Sequence, residues 1–175
     1  MRKSSAHGAR HANDLRGSKE MDSYDLKILN ILQRDARLPA EKIAGQVGLS
    51  PSAVHRRVKR LREDGVIEAE VAVISPEATG LKLMAVVEVT MQRERPLSRP
   101  QEEFRRLMLD TPEVMQCFHV TGNADFVLVV ATKDIQEYEA LTRRLFVDNP
   151  DVRGYSTSIV MRRVKSGVAI PLTDK

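Results

Sequence analysis

AEKIAGQVGLSPSAVHRRVKRLR, residues 40–62, has the layout of two helices joined by a sharp turn. Ile43, Ala44 and Val47 fall on one face of a short first helix, and Gly48 supplies the backbone freedom that the turn requires. Leu49 follows as an apolar plug. Ser50 stands where an N-cap belongs, and Pro51 takes a first-turn position that tolerates a missing N–H. In the second helix Val54, Val58 and Leu61 share one stripe at i, i+4 and i+7. At about 100° per residue, Ser52, Arg56, Lys59 and Glu63 lie opposite that stripe, with His55 and Arg60 flanking it. A helix held down by aliphatic side chains and covered elsewhere by cations suits the major groove of double-stranded DNA.

The charge distribution favours the same reading over a merely solvated face. Ser50–Arg62 contains five Lys/Arg and no acid, whereas the two signs cancel over residues 75–175. The net charge of +4 is therefore concentrated in this helix and in the N-terminal tail. Arg56, Arg57, Lys59 and Arg60 are the expected phosphate contacts. Ser52, His55 and Arg56 sit toward the helix N-terminus, where base edges are reached, and Ser50 completes the set at the helix start.

At 175 residues the chain holds two small domains or one medium one, and 42% hydrophobic with 30% charged residues fits a soluble globular protein. No apolar run reaches the roughly 18–20 residues that a membrane-spanning helix needs, so no membrane partner is expected. Residues 1–20 combine basic, Ser, Ala and Gly residues without the apolar stretch of a secretory signal, and are expected to form a disordered basic tail. Cys117 is the only cysteine, which rules out an intramolecular disulfide and matches a cytoplasmic location. His7, His11, His55 and His119 have no metal-ligand spacing, so neither metal nor cofactor is expected. Phosphate-binding Gly-rich loops, nucleophile elbows and paired-His helices are also missing from the sequence, which argues against an enzyme.

Around the opening stretch, Tyr24, Ile28, Ile31 and Leu32 give a first helix over about 23–35, capped by Asp22 or Ser23. Gly65 can end the third helix in a left-handed cap, and VIEAEVAVI (66–74) alternates as a wing or linker strand would. Residues 21–74 are thus predicted to form a winged helix-turn-helix domain. Beyond it, strands are expected at 81–91, 114–120, 124–132 and 152–165, with helices at 99–110 and 134–147. Strand, helix, strand, strand, helix, strand makes a ferredoxin-like βαββαβ sandwich over residues 75–175, and the whole an α+β protein. Helices cover only one face of such a sheet, while ADFVLVVA (124–131) is almost wholly apolar. A second copy of the sheet is the expected cover for the other face, which makes a homodimer.

These segments resemble the Lrp/AsnC, or feast/famine, regulators. The resemblance runs through ILxxLQxDxR at 28–37, VGLSxSxVxxRVxRL at 47–61 and the following EDGVI, then PEV at 112–114 and VTGNADFVLVV at 120–130. It covers about residues 22–172 and implies a DNA-binding transcriptional regulator whose assembly and DNA affinity respond to a small effector, commonly an amino acid. It also implies dimers that assemble further, often into octamers. On this analogy Thr121, Gly122, Asn123, Ala124 and Asp125 help form the effector pocket, with Thr157 and Ser158 contributing from the last strand. Backbone N–H groups at a Gly turn suit a carboxylate, and Asp125 suits an α-ammonium group. The alternative for the loop is a plain hairpin turn that Asp125 orients. Alternatives for the whole chain are a weakly specific architectural protein that compacts DNA, or a ligand-sensing module without operator specificity.

Overall fold

The computed structural model describes residues 20–92, 98–167 and 169–173. Most of the expected basic tail lies outside them. The chain divides into two compact units, residues 1–72 with 166–175 and residues 73–165.

The first unit is built from three helices: α1 (Ser23–Leu32), α2 (Ala40–Val47) and α3 (Pro51–Glu63). The local chemistry explains each boundary. Asp22 and Asp25 form a reciprocal capping box at the start of α1. Gly48 ends α2 in a left-handed conformation at φ 74°. Ser50 caps α3 by accepting the Ala53 N–H, and Pro51 stands in the first turn. Ile28, Leu32, Ile43, Ala44, Val47, Val54 and Val58 close a core around which these helices pack.

Two expectations for this unit are corrected. Residues 66–74 form no strand: the segment joins no ladder among the described residues, and Val71, Val73 and Ile74 are exposed. Alternation alone supplies no hydrogen-bonding neighbour, and a strand exists only where a ladder does. The C-terminal tail, expected to belong with the sandwich up to residue 175, instead joins the helical unit from Ser166 on. Gln33 at the end of α1 treats Ile170 as a strand would: its amide accepts the Ile170 N–H and donates to the Ile170 carbonyl, both at 3.0 Å. Asn30, one turn earlier, donates to the Leu172 carbonyl at 3.0 Å.

The second unit contains β1 (Leu83–Met91), α4 (Ser98–Leu109), β2 (Val114–His119), β3 (Phe126–Thr132), α5 (Ile135–Thr142) and β4 (Val152–Ile159). Its single sheet is antiparallel in the order β2-β3-β1-β4, the ferredoxin-like arrangement. Directly opposed residues share a face, so the register sorts the side chains. Ala85, Val87, Val89, Phe126, Leu128 and Val130 pack beneath Phe104 and Met108 of α4 and Tyr138 and Leu141 of α5. Phe104 links this layer to Phe126 with ring centroids 4.8 Å apart. The opposite face presents Val86, Val127 and Val129, all partly exposed, beside Phe118, which is 51% exposed. The last strand is shorter than expected, so Arg162 and Arg163 lie beyond it, with Arg163 paired to Glu77. The second helix passes into a π-helical turn at Arg143–Val147.

The tail contact gives a direct test. Gln33→Ala removes both bonds to Ile170 and is expected to destabilise the helical unit by about 1 kcal/mol. Denaturant unfolding followed by circular dichroism measures it; an unchanged midpoint would show that the tail is not held there.

Candidate nucleic-acid interface and effector loop

Helix α3 is anchored by Val54, Val58 and Leu61, all buried. Ser52, His55, Arg56 and Lys59 are exposed on its outer side. Ser52 lies 3.1 Å, hydroxyl to hydroxyl, from the capping Ser50. Lys59 is 76% exposed and meets Glu63 at 3.7 Å, a surface pair of small energetic weight that leaves the ammonium available.

Arg57 and Arg60, expected among the phosphate contacts, turn back on α1 instead. Arg57 Nη1 donates to Asp25 Oδ1 at 2.8 Å and to Asp22 Oδ1 at 3.0 Å. Its guanidinium also lies 5.6 Å from the centre of the Tyr24 ring. Arg60 Nη2 donates to Asp25 Oδ2. The Asp25 side chain is 1% exposed, against 22% for Arg57 and 27% for Arg60. A carboxylate so far from water is costly unless paired, and the two guanidinium groups and the Asp22 N–H meet that need. Hydrogen bonding to Asp25 holds the Arg57 guanidinium above its ordinary pKa. At Asp22 desolvation pulls upward, but the Asp25 amide and Arg57 prevail and keep the carboxyl below 3.8.

Sequence reasoning took Asp22 only as a candidate cap of α1 and missed this clamp. The available signal was the position of Asp25 three residues before Ile28 and four before Leu29, on the buried side of α1.

In the second unit the loop after β2 is built around Gly122, at φ 120°, a conformation that side-chain-bearing residues avoid. Asp125 is committed to the backbone: its Oδ2 accepts the Met91 N–H at 2.7 Å, and its own N–H donates to the Val89 carbonyl at 2.9 Å. The Val120 N–H donates to the Asp125 carbonyl, and Thr90 reaches the Asn123 carbonyl at 3.5 Å. Thr121 and Asn123 are exposed in this loop, and Ala124 is half-buried. Asp125 thus ties the loop to the irregular end of β1, where the register slips between Thr90 and Met91.

The two remaining effector candidates part company. Thr157 pairs with Val87 on the helix-covered face and hydrogen-bonds the Tyr138 hydroxyl. Ser158 pairs with Val86 on the open face. They do not line one cavity within a single sheet. Among the described residues no group of His, Cys, Asp and Glu is arranged to hold a metal ion. No described helix is long and apolar enough to cross a membrane. Desolvation pushes the Cys117 thiol up to about 11, which leaves it a poor nucleophile at neutral pH. His119 stacks on Phe126 at 5.0 Å.

Two family models match the chain: winged helix-turn-helix DNA-binding over residues 21–68, and the Lrp/AsnC ligand binding domain over residues 84–170. A helix-turn-helix transcriptional regulator of Sinorhizobium fredii is 46% identical, covering 87% of this chain and 89% of its own length. The leucine-responsive regulatory protein of Haemophilus influenzae is 35% identical over 85% and 88% of the two chains. Among solved structures, a Neisseria meningitidis transcriptional regulator in complex with L-Met matches with a TM-score of 0.81 and 29% identity. That match covers 87% of this chain and 97% of the other.

The lowered pKa of Asp22 sets a pH dependence. A carboxyl depressed by folding stabilises fully above its unfolded value of 3.8, and that contribution is lost as pH falls through the folded value. The stability gap between wild type and Asp22→Asn should therefore stay constant from about pH 8 to 5 and close below about pH 4. Melts across that range test it, and a gap that widens in acid would refute the pairing.

Proposed function

The chain belongs to the Lrp/AsnC family of helix-turn-helix transcriptional regulators, and from that premise we propose which residues meet DNA and what the second unit senses. Ser50, Ser52, His55, Arg56 and Lys59 face the DNA. The supporting observation is their common exposure: Ser52, Arg56 and Lys59 lie on the side of α3 away from Val54, Val58 and Leu61, His55 flanks that side, and Ser50 caps the helix start. Ser52 and His55 lie in the first turns, where base edges are reached, and Arg56 and Lys59 present cations to the phosphates.

The second unit binds a small effector, an amino acid, and the operator affinity responds to it. The support is the match to a ligand-binding family and the L-Met complex of the Neisseria relative. The loop Thr121–Asp125 contributes backbone groups around Gly122, with Asp125 acting as the tie that shapes it rather than as a free charge. Two copies associate through the open sheet face, where Val86, Val127, Val129 and Phe118 otherwise meet water, and the dimers assemble further in the cytoplasm. A two-fold dimer also spaces paired recognition helices to read half-sites about 34 Å apart.

Fluorescence anisotropy on a duplex from the region upstream of the protein's own gene tests the DNA face. Arg56→Ala and Lys59→Ala should each flatten the plot of log affinity against log salt by about one unit. An unchanged slope in both folded variants would remove α3 from the interface. For the effector, a melting-point screen against the twenty amino acids should yield at least one that raises the melting temperature, by an amount that grows with the logarithm of its concentration over its Kd. Failure of every amino acid would reject that ligand class.

A further inference from the structure

The clamp between α1 and α3 divides the cations of the recognition helix into two kinds. On a wheel of about 100° per residue, Arg57 lies about 60° and Arg60 about 120° from Val54 on one flank, whereas Lys59 lies about 140° away on the other flank and Arg56 about 160° away, nearly opposite. Arg57 and Arg60 stand one turn apart on α3 and converge on the two oxygens of one carboxylate. Two grips at successive turns fix both the rotation of α3 about its axis and its slide along α1. A single grip would leave one of these free. Asp25 is itself immobilised, because its Oδ2 accepts the Asp22 N–H in the capping box of α1. Swinging Arg57 out to a phosphate would strip a buried carboxylate of its partner, a heavier loss than the gain of one solvent-exposed phosphate contact.

We propose that Asp25, Arg57 and Arg60 are positioning residues that set the presentation angle of the recognition helix, and that neither arginine touches DNA. This rests on α3 being the DNA-facing helix. The consequence is a separation of labour: Arg56 and Lys59 determine how tightly any duplex is held, and the clamp determines how well the operator is told from other sequences. A helix rotated by even one side-chain width carries Ser52 and His55 off the base edges they face, while phosphates on both sides of the groove stay within reach of flexible cations.

The test compares Arg57→Gln, Arg57→Lys, Arg60→Lys and Asp25→Asn with Arg56→Ala. Each variant is measured by anisotropy on the operator and a random duplex across a salt series, with folding followed by circular dichroism. Arg57→Gln is expected to keep the wild-type salt slope and lose at least tenfold in preference for operator over random DNA. Arg57→Lys and Arg60→Lys retain charge but lack the planar fork, and are expected to lose preference too. If Asp25→Asn or Arg57→Gln fails to fold, the two lysine variants carry the comparison, since a simple phosphate contact would survive them. A slope lowered by about one unit in Arg57→Gln, or full operator preference in both lysine variants, overturns the proposal while leaving the DNA face intact. An unchanged slope in Arg56→Ala and Lys59→Ala instead overturns the DNA-face assignment, and the positioning role falls with it.

Discussion

Asp25 holds its carboxylate almost wholly out of water between the guanidinium groups of Arg57 and Arg60, and the geometry of the helical unit depends on that arrangement. Apolar packing alone tolerates small slides and rotations, because dispersion contacts are many and individually weak. A buried charge does not tolerate them, because losing one partner exposes the desolvation cost of the other. The aliphatic stripe of α3 supplies most of the adhesion, and the ion cluster supplies the register. Asp22 and Tyr24 complete it from the first turn of α1, so one end of that helix caps itself and anchors its neighbour with the same carboxylates.

The other end of α1 meets the C-terminal tail through Asn30 and Gln33. The chain thus leaves the helical unit near residue 72, builds the sheet unit, and returns at Ser166. Two covalent crossings join the units where a simple tandem arrangement would have one. The returning segment ends on the same helix whose first turn grips α3.

The sheet unit is governed by register. Because the side-chain period of a strand is two, one slip exchanges the helix-covered face for the open one. The pairing of Val87 with both Leu128 and Thr157 puts Val87 and Leu128 beneath the helices with Thr157 exposed on the same side, and the neighbouring Val86, Val129 and Ser158 opposite. The open face keeps valines and Phe118 that the helices cannot reach. Asp125 ties the strand end to its loop by accepting the Met91 N–H.

Local signals explain what was legible in the sequence. Helix periodicity, the Ser50 cap, the Gly48 turn and the order of strands and helices are written over spans of a few residues, and backbone sterics and short-range hydrogen bonding enforce them wherever they occur. Those signals specified the three-helix unit and the ferredoxin-like sandwich. They failed where a partner had to come from far along the chain. Residues 66–74 carry strand alternation but have no ladder, and the tail was assigned to the sandwich although Gln33, 137 residues away from Ile170, holds it. The cations of α3 look alike in sequence. Only the tertiary structure, by bringing Asp25 within reach across 32 and 35 residues, separated Arg57 and Arg60 from Arg56 and Lys59. Charge is a property of a residue type, whereas its availability depends on which opposite charge the fold has already buried beside it.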